Sequence, residues 1–493
     1  MPTVRLALGL TVLAGLATTA GVLVPEQAAG ATTTAVTNCA DSGAGSLRQA
    51  VSSASPDDTI TFALSPPCST ITVASTITIA SSVTIDGPGA AALAVSGNNA
   101  VQVIDVPSSV TATISGLTIE KGSSSTSNGG GISNSGTLHL IDSTVSDNGI
   151  TNTTSAGGGI FSDGTMTIND STVSGNSALN GGAGGIRNDG MTTITDSTLS
   201  GNTSLNNGGA IHNAGDGTLI ISDSTVTGNG AASNQYGGGV SNDNGIVTIS
   251  NSTVSGNSAG AGGGVFNYLG TTSVSNSTLS SNTGGGLYNP QGTLNATATI
   301  VASSISETDC LGSITSLGYN LDDDGSCGFS GTSLSDTPAG LDPAGLQHNG
   351  GPAETVSLLG TSAAIHHVKD ASLCPATDQR GFARTVPCDI GAYDTHGFGV
   401  VTSTLPAGAP RMRYSATLMA IGGNPPYRWS VSSGRLPKGL HLKKSTGVIS
   451  GTPKKTDDGT YTFTVKVADK KIKVKHHPAT QNIATAVLSI TIS

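Results

Sequence analysis

The feature that most constrains this chain is a phrase that returns every 25 to 28 residues. The phrase consists of Asp or Asn, then Ser, then Thr, then an aliphatic residue. Its copies begin at Asp142, Asp170, Asp196, Asp223, Asn251 and Asn276. Self-similarity at such a period is typical of repeat architectures, in which each unit is stable only when it packs against its neighbours. We therefore expect an elongated stack of similar turns.

Each repeat contains short β-branched segments separated by Gly, Asn and Ser, as in Thr165–Ile168. Strands this short are unstable alone, but stacked at about 4.8 Å they form parallel sheets around a narrow core. Asn residues that recur at one position of the repeat would then form a ladder of hydrogen-bonded amides. They are Asn148, Asn176, Asn202, Asn229, Asn257 and Asn282. The pattern predicts an all-β fold whose body is a right-handed parallel β-helix with coils over about residues 70–305.

Composition supports a repeat structure over a compact globule. Aromatic residues make up 3% of the chain and charged residues 11%, while Gly alone accounts for 69 of 493 residues. A compact domain of this length would bury many more large side chains. Stability must therefore come from many small, repeated contacts.

The predicted domains follow from where the repeat begins and fades. Residues 32–305 are expected to form the parallel β-helix with an N-terminal cap, in which Ser46–Val51 is a short helix. Residues 306–395 are expected to form the C-terminal segment of the β-helix, and residues 398–493 a separate C-terminal module. An open solenoid needs caps, because its terminal strands would otherwise pair with other chains.

The first residues have the pattern of a signal peptide, predicted over 1–31. Arg5 is basic, Leu6–Val24 is largely apolar, and Ala29–Ala31 offers small residues for cleavage. The alternative is a transmembrane anchor, although Gly21 and nearby Thr residues interrupt the apolar stretch.

The six cysteines are consistent with export. They fall into couples that are close in sequence and flank the repeats, namely Cys39 with Cys68, Cys310 with Cys327, and Cys374 with Cys388. Sequence alone leaves their connectivity open. No Cys or His spacing suggests zinc, and structural disulfides in an oxidising compartment are expected. We therefore predict a secreted or extracellular protein, associated with the cell surface if an anchor exists.

Charge divides the chain sharply. Residues 398–493 contain 14 Lys and Arg against three Asp, whereas the rest contains seven Lys and Arg against 28 Asp and Glu. The basic run Lys470–Lys475 has no interleaved aromatic residues, so nucleic acid is not an expected partner. Attraction to anionic wall polymers or acidic glycans is the functional interpretation, and a solvated charged face is the alternative.

Several phrases after the repeats resemble the choice-of-anchor Q family of exported bacterial β-helix proteins. They are Gly318–Leu321, Asn349–Pro352, Cys374–Gly381 and Cys388–Tyr393. The resemblance implies a surface protein with a C-terminal anchor. This chain departs from that pattern, because Leu405–Gly408 is not a sortase motif and no hydrophobic tail follows. Membrane contact is thus expected only through an unidentified anchor.

The last part of the chain resembles the immunoglobulin-like, cadherin-like modules of bacterial surface proteins. The phrases that carry the resemblance are Tyr414–Leu418, Gly423–Ser430, Leu436–Leu440 and Gly447–Pro453. The resemblance implies a β-sandwich, and alternation within its strands makes Trp429 the expected core aromatic residue. It also implies a possible role for calcium, although the acidic ligand clusters of cadherins are missing. No other cofactor and no metal-binding residue is predicted.

One column of the repeat is predicted to bind a ligand. It lies between an inward aliphatic residue and a polar residue, so strand alternation should turn it outward. It consists of Ser133, Phe161, Arg187, His212, Ser241, Phe266 and Tyr288. Exposed aromatic rings with Arg and His can stack on sugar rings and donate hydrogen bonds to them, so the predicted ligand-binding residues are Phe161, Arg187, His212, Phe266 and Tyr288. The alternative is that loops cover the column or that a bend breaks the alternation.

The predicted function is a non-catalytic secreted or cell-surface protein for adhesion or polysaccharide binding. Its expected partner is a polysaccharide or cell-wall glycan, and the chain is expected to be a monomer. The other function considered is a polysaccharide-degrading hydrolase or lyase. Arg187 is the only Lys or Arg between residues 122 and 368, so a lyase base is nearly absent.

Hydrolysis would need two converging carboxylates. The repeated Asp column offers stacked carboxylates, but its recurrence predicts turn residues that bond their own backbone. No catalytic residue is assigned.

Overall fold

The structure is a computed structural model that describes residues 30–151, 156–179, 182–395, 398–400, 402, 404–422, 426–456, 458–471 and 483–492. Nearly all of the predicted signal peptide lies outside these residues. Among the described residues, no helix has the length and apolar character needed to cross a membrane.

The body of the molecule is a parallel β-solenoid of about 11 turns, which confirms the predicted β-helix. Its first sheet contains two columns of strands, because most turns contribute a short strand and then a longer one, which are continuous in Val265–Ser275 and Leu287–Thr297. The strands are Thr33–Val36, Asp58–Phe62, Ile77–Thr78, Val83–Asp86, Ile104–Val106, Thr111–Ser115, Ile132–Asn134, Thr137–Ile141, Ile160–Ser162, Thr165–Asn169, Ile186–Asn188, Met191–Thr195, Ile211–Ala214, Thr218–Ser222, Val240–Asp243, Ile246–Ser250, Val265–Ser275, Leu287–Thr297, Cys310–Gly312 and Thr315–Ser316.

Two further parallel sheets complete the turns. The second sheet has 11 strands: Thr70–Thr72, Ala94–Ser96, Thr118–Glu120, Thr144–Ser146, Thr172–Ser174, Thr198–Ser200, Thr225–Thr227, Thr253–Ser255, Thr278–Ser280, Ile300–Ala302 and Leu321–Asp322. The third sheet has five: Ser123–Ser124, Gly149–Ile150, Ser177–Ala178, Thr203–Ser204 and Gly230–Ala231. Parallel pairing therefore continues past residue 305, into the segment predicted to end the β-helix.

Aliphatic side chains and Asn ladders fill the interior of the solenoid. In the ladder that runs from Asn148 to Asn282, each amide nitrogen donates to the amide oxygen on the next turn at 2.9–3.1 Å. A second ladder runs from Asn188 to Asn289 with distances of 2.7–2.9 Å. The predicted ladder is confirmed, and it satisfies polar groups that are buried at the bends.

The repeated Asp column consists of turn residues, as expected. The φ angles at Asp142, Asp170, Asp196 and Asp223 lie between +48° and +52°, and those at Asn251 and Asn276 are +50° and +47°. Asp and Asn tolerate this left-handed conformation better than other non-glycine residues, which explains why both residue types occupy this position of the repeat. Burial, followed by the charges of Asp223 and Asp170, raises the pKa of Asp196 to about 6.

The predicted caps and disulfides are also present. The helix Leu47–Ser53 begins after Ser46, whose hydroxyl accepts from the backbone of Gln49 at 3.2 Å, and it buries Leu47, Ala50 and Val51 against the first turn. The three disulfides join Cys39 to Cys68, Cys310 to Cys327, and Cys374 to Cys388. The local pairing of the cysteines is therefore confirmed.

Residues 339–395, here called the closing segment, lie on the second sheet. They include the antiparallel pair Leu341–Gln347 and Thr355–Leu358 and a 3-10 helix at Ala371–Leu373. Of the phrases that resemble the choice-of-anchor Q family, Cys374–Gly381 contains the buried ion pair of Arg380 with Asp378. Between this phrase and Cys388–Tyr393 lies Arg384, the centre of a buried ionic network. Its guanidinium bonds Asp394 and, across the interface, the amide oxygen of Asn251 at 3.1 Å. These phrases thus have a packing role here, and membership of that family stays a prediction.

The C-terminal region forms small antiparallel sheets, as predicted for an Ig-like module. The strand groups are Phe398–Val400 with Ala420–Gly422; Tyr414–Thr417 with Val448–Gly451 and Leu440–Leu442; and Arg428–Gly434 with Gly459–Ala468 and Ile483–Ile492. Trp429, Ile449 and Phe463 are buried together in its core. The expected role of Trp429 is confirmed.

Candidate functional site

The predicted outward column exists as a continuous register of short strands. Residues on successive turns pair in the order Ser133, Phe161, Arg187, His212, Ser241, Phe266 and Tyr288. The alternation that placed this column outside the aliphatic core is therefore correct.

The expected exposure of this column is wrong for most of its members. Phe161 is 9% exposed, His212 8% and Phe266 4%, while Arg187 and Tyr288 are half-buried. The Gly-rich loop before each short strand folds back over the column. At Gly262, with φ of +60°, an added Cβ would lie 2.9 Å from Tyr288 Cβ and 3.2 Å from Phe266 Cβ. Only glycine fits so close an approach, and the loops therefore cover what the sequence suggested was open.

Four aromatic rings gather where this cover is incomplete. Tyr236 stacks on Phe266 with ring centroids 4.6 Å apart and planes at 16°. Tyr268 lies parallel to Phe266 at 6.3 Å, and Tyr288 is tilted at 5.4 Å. Phe266 is buried, whereas Tyr236 and Tyr268 are 38% and 42% exposed. Phe266 is thus the floor of an aromatic platform, and the tyrosines offer ring surface to solvent.

These rings line a groove of about 410 Å³ on the surface of the solenoid. Its lining residues are Asn207, Tyr236, Asp243, Phe266, Tyr268, Tyr288 and Pro290. Phe266 and Tyr288 were predicted as site residues, while Tyr236, Tyr268, Asn207 and Asp243 were not. Tyr268 could have been found, since it lies two residues after Phe266 and so on the same face of the strand.

A row of charged and polar side chains leads from the earlier turns to the groove. Arg187 Nε donates to Asp189 at 2.5 Å, and Arg187 Nη1 contacts His212 Nδ1 at 3.1 Å. Arginine can only donate, so Nδ1 of His212 accepts and its Nε2 carries the hydrogen. Nε2 then donates to Asp243 Oδ2 at 2.7 Å. Arg187 and His212 were predicted as ligand-binding residues, but they do not line the groove. They bond in series to Asp243, which does line it.

Arg187 and His212 lie between the carboxylates of Asp189 and Asp243 and bond to them. Phe161 contacts none of the groove-lining rings in the described structure, and its ligand-binding role stays a prediction.

The sequence contains two pairs of adjacent histidines, His366–His367 and His476–His477. The backbone of His366 donates to Asp389 at 2.7 Å, and a ring nitrogen of His367 lies 3.0 Å from the carbonyl of Thr332. His476 and His477 lie outside the described residues. Within the described ranges, no group of three or more His, Cys, Asp or Glu residues could hold a metal ion. Calcium binding stays a prediction.

Comparison with known proteins identifies the C-terminal module. A family model described as Putative Ig domain matches residues 398–489. No curated protein and no solved structure matches the chain. The Ig-like module and the solenoid together form a scaffold that fits an extracellular protein.

The Ig-like module presents a second charged surface. Lys438, Lys443, Lys444, Lys454 and Lys455 are all exposed. The segments bearing Lys438 and Lys454 are adjacent, because the backbone nitrogen of Lys454 donates to the carbonyl of Lys438 at 3.2 Å. Attraction of this surface to anionic polymers stays a prediction.

Proposed function

We propose that this chain is an exported, non-catalytic protein that binds polysaccharide through the aromatic groove of its solenoid. The observation that carries the proposal is the platform of Tyr236, Phe266, Tyr268 and Tyr288 beside the carboxylate of Asp243. Aromatic faces stack on the C–H faces of pyranose rings, while carboxylate and amide groups bond the hydroxyls. Few other ligands need both over so short a distance.

The location of the protein is part of the proposal. All six cysteines form disulfides, which persist in oxidising compartments and are rare in the cytosol. The Ig-like module resembles modules of bacterial surface proteins. A solenoid with a groove on its side and a basic module at one end suits attachment at a wall and display of the groove.

The groove is already formed without a ligand, which also supports binding. Phe266 is fixed between two tyrosines, and Asp243 is held by His212, so the groove needs little ordering when a ligand arrives. A hydrolase built on the same scaffold is the alternative, and it would require the chain to release shorter saccharides from a bound polymer.

The test is a glycan array with the full chain, followed by affinity measurements on the polysaccharide that binds best. Replacing Tyr236 or Tyr268 by Ala should weaken binding about tenfold each, which corresponds to about 1.4 kcal/mol. Leu317→Ala is the control, because Leu317 is also exposed on the solenoid but does not line the groove. Unchanged affinity in both tyrosine variants would rule out the groove, and shortening of the polymer on incubation would replace binding with hydrolysis.

A further inference from the structure

Given that the groove binds saccharides as proposed, the charge of its lining determines which saccharides it accepts. Among the groove-lining residues, Asp243 is the only Asp, Glu, Lys, Arg or His. Its side chain is 26% exposed, so it is accessible from the groove, and the hydrogen bond that the structure gives it is on Oδ2. A carboxylate can accept hydrogen bonds from sugar hydroxyls and repels a carboxylate or sulfate on the ligand.

The nearest cation does not offset this charge from within the groove. Arg187 is bonded to Asp189 and to His212, and His212 separates it from Asp243. His212 lies between the two, with Nδ1 against the guanidinium and Nε2 against Asp243. Outside this row the sequence has no other Lys or Arg between residues 122 and 368. An anionic ligand would therefore meet a negative charge without a basic side chain to pair with.

The other lining groups suit an uncharged sugar. Tyr236, Tyr268 and Tyr288 combine ring faces with hydroxyls that donate or accept. The amide oxygen of Asn207 accepts from the backbone of Tyr236 at 3.1 Å, which fixes this side chain at the rim. Uronates and sulfated glycans are instead held in proteins by Arg and Lys, and the groove lining contains neither.

We propose that the groove selects neutral hexose polymers over uronates and sulfated glycans, and that Asp243 is the residue that determines this specificity. The platform of Tyr236, Phe266, Tyr268 and Tyr288 gives affinity for any pyranose, while Asp243 decides which charge the pyranose can carry. The groove thus rejects the negatively charged ligands that the exposed lysines of the basic Ig-like module favour.

The experiment uses the full chain and measures affinities for matched soluble hexasaccharides by calorimetry. The neutral probes are cellohexaose, laminarihexaose and mannohexaose, and the anionic probes are hexagalacturonate and hexamannuronate. The wild-type chain should bind at least one neutral probe at least tenfold more tightly than either uronate. Asp243→Asn keeps the shape of the side chain but removes its charge, so it should reduce this ratio at least fivefold, chiefly by improving uronate binding. Asp163→Asn is the control, because Asp163 is exposed in the same part of its own turn but does not line the groove.

The outcomes separate the two proposals. Equal or tighter binding of uronates by the wild-type chain, lost in Tyr268→Ala, would overturn the selectivity and leave saccharide binding intact. A ratio that is the same in Asp243→Asn and wild type would show that another residue sets it. Failure to bind any of the five probes, or binding that Tyr236→Ala and Tyr268→Ala leave unchanged, would overturn the groove as a saccharide site altogether.

Discussion

The second sheet carries a column of threonines, and the first sheet carries the outward column, called here the aromatic column, with Phe266 and Tyr288. The same repeat builds both columns, yet they are covered very differently. On the second sheet the closing segment lies over Thr225, Thr253 and Thr278, which are fully buried. The Thr225 hydroxyl donates to the carbonyl of Glu354, and the Thr253 hydroxyl donates to Gln379, both at 2.6 Å. On the first sheet only short Gly-rich loops cover the column, and they leave the tyrosine platform open.

The difference shows what each kind of column can hold. A line of hydroxyls spaced by the turns of a solenoid matches the backbone carbonyls and amides of another peptide segment, and here the chain supplies that segment itself. A line of aromatic rings has few such partners within the chain. Its exposed rings are therefore available for a ligand with apolar ring faces.

The Asp and Asn residues that begin each repeat meet the closing segment differently. Asn251 bonds both Arg384 and the carbonyl of Thr377 in the closing segment. Asp223 begins the turn whose Thr225 the closing segment already covers, and burial raises the pKa of its carboxyl group. The change from Asp to Asn along the column therefore comes one turn after the closing segment begins to cover the sheet.

The largest expected effect concerns the packing of the closing segment on the second sheet. Replacing Arg384 by Ala would remove the buried guanidinium that bonds Asp394 and Asn251, at a cost of about 3–5 kcal/mol in the free energy of unfolding. Calorimetry should show a lower melting temperature for the solenoid. Arg435→Ala, at an exposed site of the Ig-like module, should change it little. Equal melting temperatures for Arg384→Ala and wild type would mean that the closing segment does not stabilise the sheet.

The aromatic column should divide into a structural and a binding part. Phe266→Ala would remove a buried ring and cost about 3–5 kcal/mol, whereas Tyr268→Ala should cost under about 0.5 kcal/mol and act on ligand affinity. Thermal unfolding of the two variants measures the difference. An equal loss of stability would show that Tyr268 is part of the core and not part of an open platform.

The Asp column should respond to pH in the uncovered turns. Since burial raises the pKa of Asp196 to about 6 in the folded chain, its carboxylate opposes folding above that pH, and stability should rise as the pH falls through 6. Asp196→Asn should therefore stabilise the chain at pH 7.5, and the gain should shrink towards pH 4.5. Denaturant titrations of both proteins at the two pH values test this. A gain that is the same at both pH values would contradict it.

Salt should separate the two proposed binding regions, because only one of them relies on exposed charges. Binding of the full chain to an anionic wall polymer through the lysines of the Ig-like module should weaken steeply between about 50 and 500 mM salt, because screening shortens the reach of exposed charges. Binding of a neutral saccharide to the groove should hardly change. Retention on both kinds of polymer at increasing salt provides the measurement, and a salt-independent response to the anionic polymer would count against electrostatic docking.

Periodicity was enough to predict the solenoid, its Asn ladder, the turn role of the Asp column and the outward column. The Gly-rich phrase before Val265 recurs in the other repeats, but it did not predict the cover of that column, because the close approach at Gly262 depends on the packing of one turn on the next. Tyr236 lies in such a loop and was missed for the same reason. The contact between Thr225 and Glu354 joins residues 129 positions apart, so no local sequence pattern predicts it.

Saturation-transfer NMR tests the central claim most directly, since it detects which protons of a saccharide touch aromatic rings. Irradiating the aromatic protons of the full chain should transfer saturation to the C–H protons of a bound neutral hexasaccharide. The transfer should fall strongly in a variant with both Tyr236 and Tyr268 replaced by Ala and persist in Leu317→Ala. Transfer of equal strength in the double variant and the wild-type chain would show that the saccharide binds elsewhere, and the account of the groove would be wrong.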